Sequence, residues 1–292
     1  MSKNMTQTQN PLSAYFRAPK LYTSIPSGGQ FYDPGVIEFS GEQNGELAIY
    51  PMTTKDELLL KNPDALLNGE AVASLIHSCV PEVKNARDLY SADVDCLLIA
   101  IRGASGGDDV DVAAQCPVCE TTTDVTVSVS ESLTKMEKLD DLYSITLKNG
   151  LKIVGAPFSY KNTIKAGVAS FQSTRSMQSI SELTDDMERL KAFNVSFVKL
   201  ADLNFELLVD AIHDITYQNE EGEEVSLTDK KIIREFLENT DSSTGKEIEE
   251  FINNINSKGV NNKVRVSCSN EECDNEYESD INFDPVNFFT GS

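Results

Sequence analysis

"VRVSCSNEECDNEYESDINF", residues 264–283, sets Cys268 and Cys273 in a turn between two runs in which apolar and polar residues alternate. Far upstream, "DDVDVAAQCPVCETTTDVTVSVS", residues 108–130, does the same around Cys116 and Cys119. Each stretch reads as strand, knuckle, strand, and each pair is short enough for both sulfurs to approach one ion. Four thiolates match tetrahedral Zn²⁺ with every position filled, which is the arrangement of a structural site rather than a catalytic one. The pairs lie about 150 residues apart, far beyond the roughly 12 to 20 of local zinc motifs, so the chain between them must loop out and return. The expected fold is therefore α+β: a small β framework with a zinc-ribbon-like four-cysteine element, interrupted by a long helical insertion. Two unrelated reduced pairs, a disulfide or a redox pair fit the spacing less well, and sulfur ligands alone do not separate zinc from iron.

The other two cysteines differ in kind. Cys79 in "IHSCV" and Cys96 in "VDCLLIA" stand singly on apolar stretches, where a free thiol behaves as a small buried hydrophobe. His77 and His213, the only histidines, fall in apolar segments read as helical and are expected to be core or half-buried. His77 and Cys79, two positions apart, would diverge on a helix and make a poor catalytic pair.

A chain of 292 residues can bury a core without cross-links. Its 25 Lys+Arg face 47 Asp+Glu, a net charge of −22 that repels nucleic-acid backbones and disfavours nucleic acid as the main partner. Such acidity suits partners with basic faces, and adaptation to a salty or crowded cytoplasm explains it equally well. No apolar run approaches the roughly 20 residues of a membrane span, and "MSKNMTQTQNPLSAYF" carries no signal-peptide core, so a cytoplasmic location is expected.

Four segments follow. Residues 1–17 read as a flexible tail, and 18–159 as an α+β core with the first knuckle. Residues 160–258 read as the helical insertion, and 259–292 as the strands that complete the ribbon. Within the core, "PSGGQFYDPGVIEF" leads from a turn into a β run that "GELAIYPM" is expected to pair with as a hairpin. Thr54 and Glu57 fit a capping box at the start of a helix, and Asn149-Gly150 marks a tight hairpin. "RGASGGDD" lacks the Lys-Ser/Thr of a phosphate loop and reads as a flexible turn. Asp108, Asp109 and Asp111 lack the spacing of a calcium loop. No constellation argues for an enzyme.

Taken in order, "LYTSIPSGGQFYDPGVIEF", "GELAIYPMTTKDELLLKNPDALLNGEAVASLIHSCV", "LYSADVDCLLIAIRGASGG" and "CPVC" resemble the T4-type phage baseplate protein family, the baseplate hub assembly proteins of contractile-tailed phages. The turn Pro51-Met52-Thr53 and the pair Ile101-Arg102 are the most distinctive pieces. The resemblance implies a non-enzymatic assembly factor or hub component that binds other baseplate and hub proteins. It assigns Arg102 a structural or contact role. A scaffold or chaperone acting in the host cytoplasm and a permanent subunit of the virion baseplate both remain open. A zinc-dependent hydrolase would require an open coordination position.

Overall fold

The computed structural model describes residues 12–30, 32–39, 45–181, 185–259 and 263–280. Of the segment read as a flexible tail, residues 1–11 lie outside the described residues. Residues 12–17 are anchored: a short 3₁₀ turn, Ser13–Tyr15, leads to Arg17, whose guanidinium donates to the carbonyls of Pro51 and Ser78, both at 2.5 Å. It also pairs with Asp56 at 3.6 Å.

The first core gathers β1 (Leu21–Thr23), β2 (Leu47–Ile49), α1 (Thr54–Leu60), α2 (Pro63–Leu67), α3 (Glu70–Cys79) and α4 (Ser91–Gly106). Strand β2 pairs antiparallel with β1, Leu21 opposite Ile49. It does not form the expected hairpin with 36–39. Pro34 has no N–H to donate and Gly35 has φ 97°, so the extended run breaks there and only Ile37 bridges, to Val83. The capping box sits one residue earlier than expected. Thr53 is the N-cap of α1, Asp56 N–H donates to its hydroxyl at 3.3 Å, and Thr53 N–H donates to Asp56 at 2.7 Å. Both frames fit the spacing, but only this one buries Asp56 and Leu60 together and brings Asp56 to Arg17. Helix α4 is apolar almost all round because it crosses the centre of this core. It runs through "RGASG", read as a turn, as far as Gly106. Gly107, at φ 96°, ends it. Arg102 lies over Gly106, where a Cβ would collide with the guanidinium.

Hairpin β3 (Asp109–Gln115) and β4 (Thr122–Ser128) follows, then α5 (Val129–Thr134), which Asp108 holds by accepting from Ser130 N–H at 2.8 Å. The second core forms under an antiparallel sheet of β5 (Tyr143–Thr146), β6 (Lys152–Gly155), β7 (Ile212–Gln218) and β8 (Glu224–Leu227), paired in chain order. Asn149-Gly150 makes the β5–β6 turn, with Gly150 at φ 86°. Between β6 and β7 the chain leaves as α6 (Tyr160–Ser181) and returns as α7 (Asp186–Ala211). The two ends meet: Gly155 is opposite Ile212, and Ala156 N–H donates to the Ala211 carbonyl at 2.8 Å. Helices α8 (Lys230–Asn239) and α9 (Ser242–Asn256) close the sheet, burying Ile233, Leu237, Ile248, Ile252 and Ile255. α9 approaches so closely that a Cβ on Gly155 would clash with Ile255, Ile252 and Phe251.

Thus the segment 160–258 is not wholly helical. Its middle is the β7–β8 hairpin, in which Ile212, Ile215 and Thr216 favour extended backbone and Gly222, at φ 81°, makes the turn. The periodicity of α7 runs straight into this strand, which is why the junction read as helix. Last come β9 (Lys263–Ser267) and β10 (Glu276–Asp280), an antiparallel pair; residues 281–292 of the expected C-terminal strands lie outside the described residues. The fold class is α+β, with the insertion between the ribbon halves forming a sheet-and-helix unit with its own core.

Candidate metal centre

Each knuckle is built by its hairpin. In the first, Cys116 N–H donates to the Thr121 carbonyl and Glu120 N–H donates back to the Cys116 carbonyl, both at 2.9 Å. In the second, Cys268 N–H donates to the Asn275 carbonyl and Cys273 N–H to the Asn270 carbonyl, also at 2.9 Å. In both, the residue after the second cysteine takes a left-handed conformation although it is not glycine: Glu120 at φ 58° and Asp274 at φ 43°. Such strain persists only where the surroundings impose it, and here it turns the chain out of the knuckle into the returning strand. The two extra residues of the second knuckle are absorbed in the turn that Asn270 closes by accepting from Glu272 N–H at 3.1 Å.

The hairpins face one another. Tyr277 OH donates to the Ala114 carbonyl at 3.2 Å, linking β10 to β3. Ser269 N–H donates to the Thr123 hydroxyl at 3.1 Å, linking the second knuckle to β4. This brings all four sequence-predicted ligands together: Cys116, Cys119, Cys268 and Cys273 have sulfurs within 4.8 Å of one another. Cys116 Sγ is 3.9 Å from Cys273 Sγ, and Cys119 Sγ is 3.4 Å from Cys268 Sγ. A tetrahedron with Zn–S of about 2.3 Å has an edge of about 3.8 Å, so the cluster fits that geometry. An all-sulfur donor set is wrong for calcium or magnesium and right for zinc or iron.

The thiols are not equivalent. The Thr121 hydroxyl, 3.3 Å away, and then the Thr121 N–H push the Cys119 thiol down to about 6. Cys273 is pushed up to about 12, first by its hydrogen bond to Cys119 and then by desolvation. A dication must displace protons to be held by all four.

Cys79 and Cys96 are both buried and lie outside the cluster, close to the Arg17 guanidinium and the Ser24 carbonyl respectively. The expectation for the histidines is corrected. His77 is exposed at the end of α3, where its Nε2 accepts from Ala86 N–H at 3.4 Å; His213 stands on the outward face of β7 with 69% of its side chain exposed. Asp108 caps α5 and Asp111 accepts from the Thr126 hydroxyl at 2.7 Å, so both are engaged in local structure.

Sequence reading missed the groups that orient the thiolates, Thr121 and Asn275, whose side chains are common in turns. It also missed a buried polar centre in the first core. Asp93, fully buried, accepts from Ser27 N–H at 2.9 Å, from the Ser27 hydroxyl at 2.5 Å and from Tyr32 OH; Tyr32 in turn accepts from Tyr90 N–H at 2.7 Å. Burial raises the Asp93 carboxyl against these hydrogen bonds. The signal was available: an aspartate on the apolar face of "SADVDCLLIAI" must find partners.

No helix among the described residues is long and apolar enough to cross a membrane. Comparison with curated proteins and with solved structures gives no match. The family described as T4 bacteriophage base plate protein matches residues 19–290, which include both knuckles and nearly everything between and before them. The chain belongs to that family: it is a T4-type phage baseplate protein.

Proposed function

We propose that this baseplate protein is a non-enzymatic assembly factor for the baseplate hub, acting in the host cytoplasm by binding other baseplate proteins, with zinc held by Cys116, Cys119, Cys268 and Cys273. The observation that carries this reading is the closed set of four sulfurs within 4.8 Å. Four protein ligands fill a tetrahedral ion and leave no position for a substrate or a reactive water, so the metal would serve geometry rather than turnover. It would contribute on the order of 10 kcal/mol toward holding the two hairpins together. That fixes the sheet-and-helix unit by both of its ends and presents its surfaces to partners in one arrangement. The net charge of −22 supports protein partners over nucleic acid.

The second reading, a permanent subunit of the virion baseplate, rests on the same family membership. Pull-down from infected cells, compared with the protein content of purified particles, separates the two. An assembly factor is captured with hub proteins and is missing from particles. Stoichiometric presence in particles would replace the assembly-factor reading by the subunit reading.

A further inference from the structure

The hairpin of α6 and α7 is long and poorly covered. At about 1.5 Å per residue its helices extend roughly 33 and 39 Å. Between Tyr160 and Ala211 the buried side chains among the described residues are Asn162, Ile180, Leu207, Val209 and Ala211, most of them near the base of the hairpin. Eight of the sixteen large apolar side chains exposed among the described residues lie on this arm. Leu190, Phe193 and Phe197, 42–61% exposed, follow one another at helical spacing as a stripe on α7. Phe193 and Phe197 stack with ring centres 6.5 Å apart. Met177 of α6 borders the same groove as Leu190 and Phe193. From Met177 toward the base of the arm the positions that share its face along α6 are small: Thr174, Ser170 and Ala166. A ridge of large residues thus runs beside a shelf of small ones.

We propose that this face binds the same face of a second copy of the chain, the two arms lying antiparallel as a four-helix bundle with their tips at opposite ends. Charge selects the occupant. The arm, residues 160–211, holds six Lys and Arg against seven Asp and Glu, a net −1, which leaves −21 for the rest of a chain of net −22. The arm is therefore a near-neutral surface on which two such acidic molecules meet with little repulsion. Charge also selects the orientation: tips at opposite ends hold the acidic bodies about 30 Å apart, well beyond a screening length of about 8 Å, whereas tips together would set them side by side. In the antiparallel seam the two-fold axis passes near Phe193, and Leu190 of one copy faces Phe197 of the other. A face about 30 Å long and about two helix diameters wide offers on the order of 600 Å² per copy before side-chain relief is counted. That is close to the ~800 Å² per partner of a stable interface.

Sedimentation equilibrium of the full chain at about 10 μM and physiological salt tests this. A dimer of twice 32.1 kDa is expected. Leu190→Glu combined with Phe197→Glu should weaken it at least 10-fold while the circular dichroism spectrum stays that of the parent, and Leu58→Glu on the body should leave it intact. Should the double variant lose helicity, orientation is read from cross-linking instead. Under mild oxidation Phe193→Cys should give a covalent dimer absent from the parent, and Met187→Cys should not. A monomeric parent, a dimer indifferent to the double variant, or equal cross-linking at both positions would overturn the proposal. None of these outcomes depends on whether the protein is an assembly factor or a virion subunit.

Discussion

Cys119 Sγ and Cys268 Sγ lie 3.4 Å apart although 149 residues separate them in the chain. The contact joins the two knuckle hairpins. Side-chain hydrogen bonds at Thr123 and Tyr277 align them, but four thiols at this distance repel or share protons unless a cation sits among them.

Removal of one ligand should therefore empty the site. Cys119→Ser is expected to reduce bound zinc from about one per chain to well below one by elemental analysis, and to lower the unfolding temperature by several degrees. Cys96→Ser, equally drastic in chemistry but far from the cluster, should keep its zinc.

Metal binding should also depend on pH. Protons compete for the thiolates, and the hydrogen bond to Cys119 pushes Cys273 up to about 12. Zinc affinity measured against a competing chelator should fall as pH drops from about 7.5 to 5.5, with protons released on binding. Affinity unchanged across that range would exclude thiolate ligation.

Asp95 gives a pH effect of opposite sign. It lines a cavity of about 120 Å³ beneath α9, and burial pushes its carboxyl up to about 6. A folded value above the unfolded one stabilises the protein below about pH 4 and loses that contribution as pH rises through about 6. Asp95→Asn should thus be more stable than the parent by about 1–2 kcal/mol at pH 7.5 in urea unfolding, the difference shrinking toward zero near pH 4.

The buried Asp93 centre should behave as a unit. Asp93→Ala strands the Ser27 N–H and the Tyr32 hydroxyl and is expected to cost about 2–4 kcal/mol. Adding Tyr32→Phe to that variant should cost less than Tyr32→Phe alone, because the hydroxyl has already lost its acceptor. Strict additivity in the double-mutant cycle would dissolve the network.

Lys230 closes the return of the arm. Its Nζ donates to the carbonyls of Val209 and Asp210 at 3.1 Å and of Ile212 at 2.5 Å, satisfying groups that the end of α7 leaves without helical partners. Lys230→Met should cost about 1–3 kcal/mol in chemical denaturation, against near neutrality for the exposed Lys231→Met.

Local chemistry was readable directly. The knuckles, the Asn149-Gly150 turn and the burial of Cys79 and Cys96 each follow from residue types within a few positions of one another. The capping frame was ambiguous by one residue, because Thr53 with Asp56 and Thr54 with Glu57 satisfy the same local rule; Arg17 and the burial of Leu60 decide between them. Pairing lay further out of reach. A strand's partner depends on which backbone edge is free after the core has collapsed, so Leu47–Ile49 went to Leu21–Thr23 rather than to its neighbour in sequence. The boundary between α7 and β7 likewise carries apolar residues that suit both a helix face and a strand face, and the free edge of β6 settles it. By itself the sequence determined the four sulfurs, the acidic balance and most of the helices, since these are properties of composition and short-range spacing. Only the tertiary structure decided that the long interval between the knuckles forms a sheet with its own core, and that an apolar arm stands out from it. Those outcomes depend on contacts between residues far apart in the chain, which periodicity does not encode.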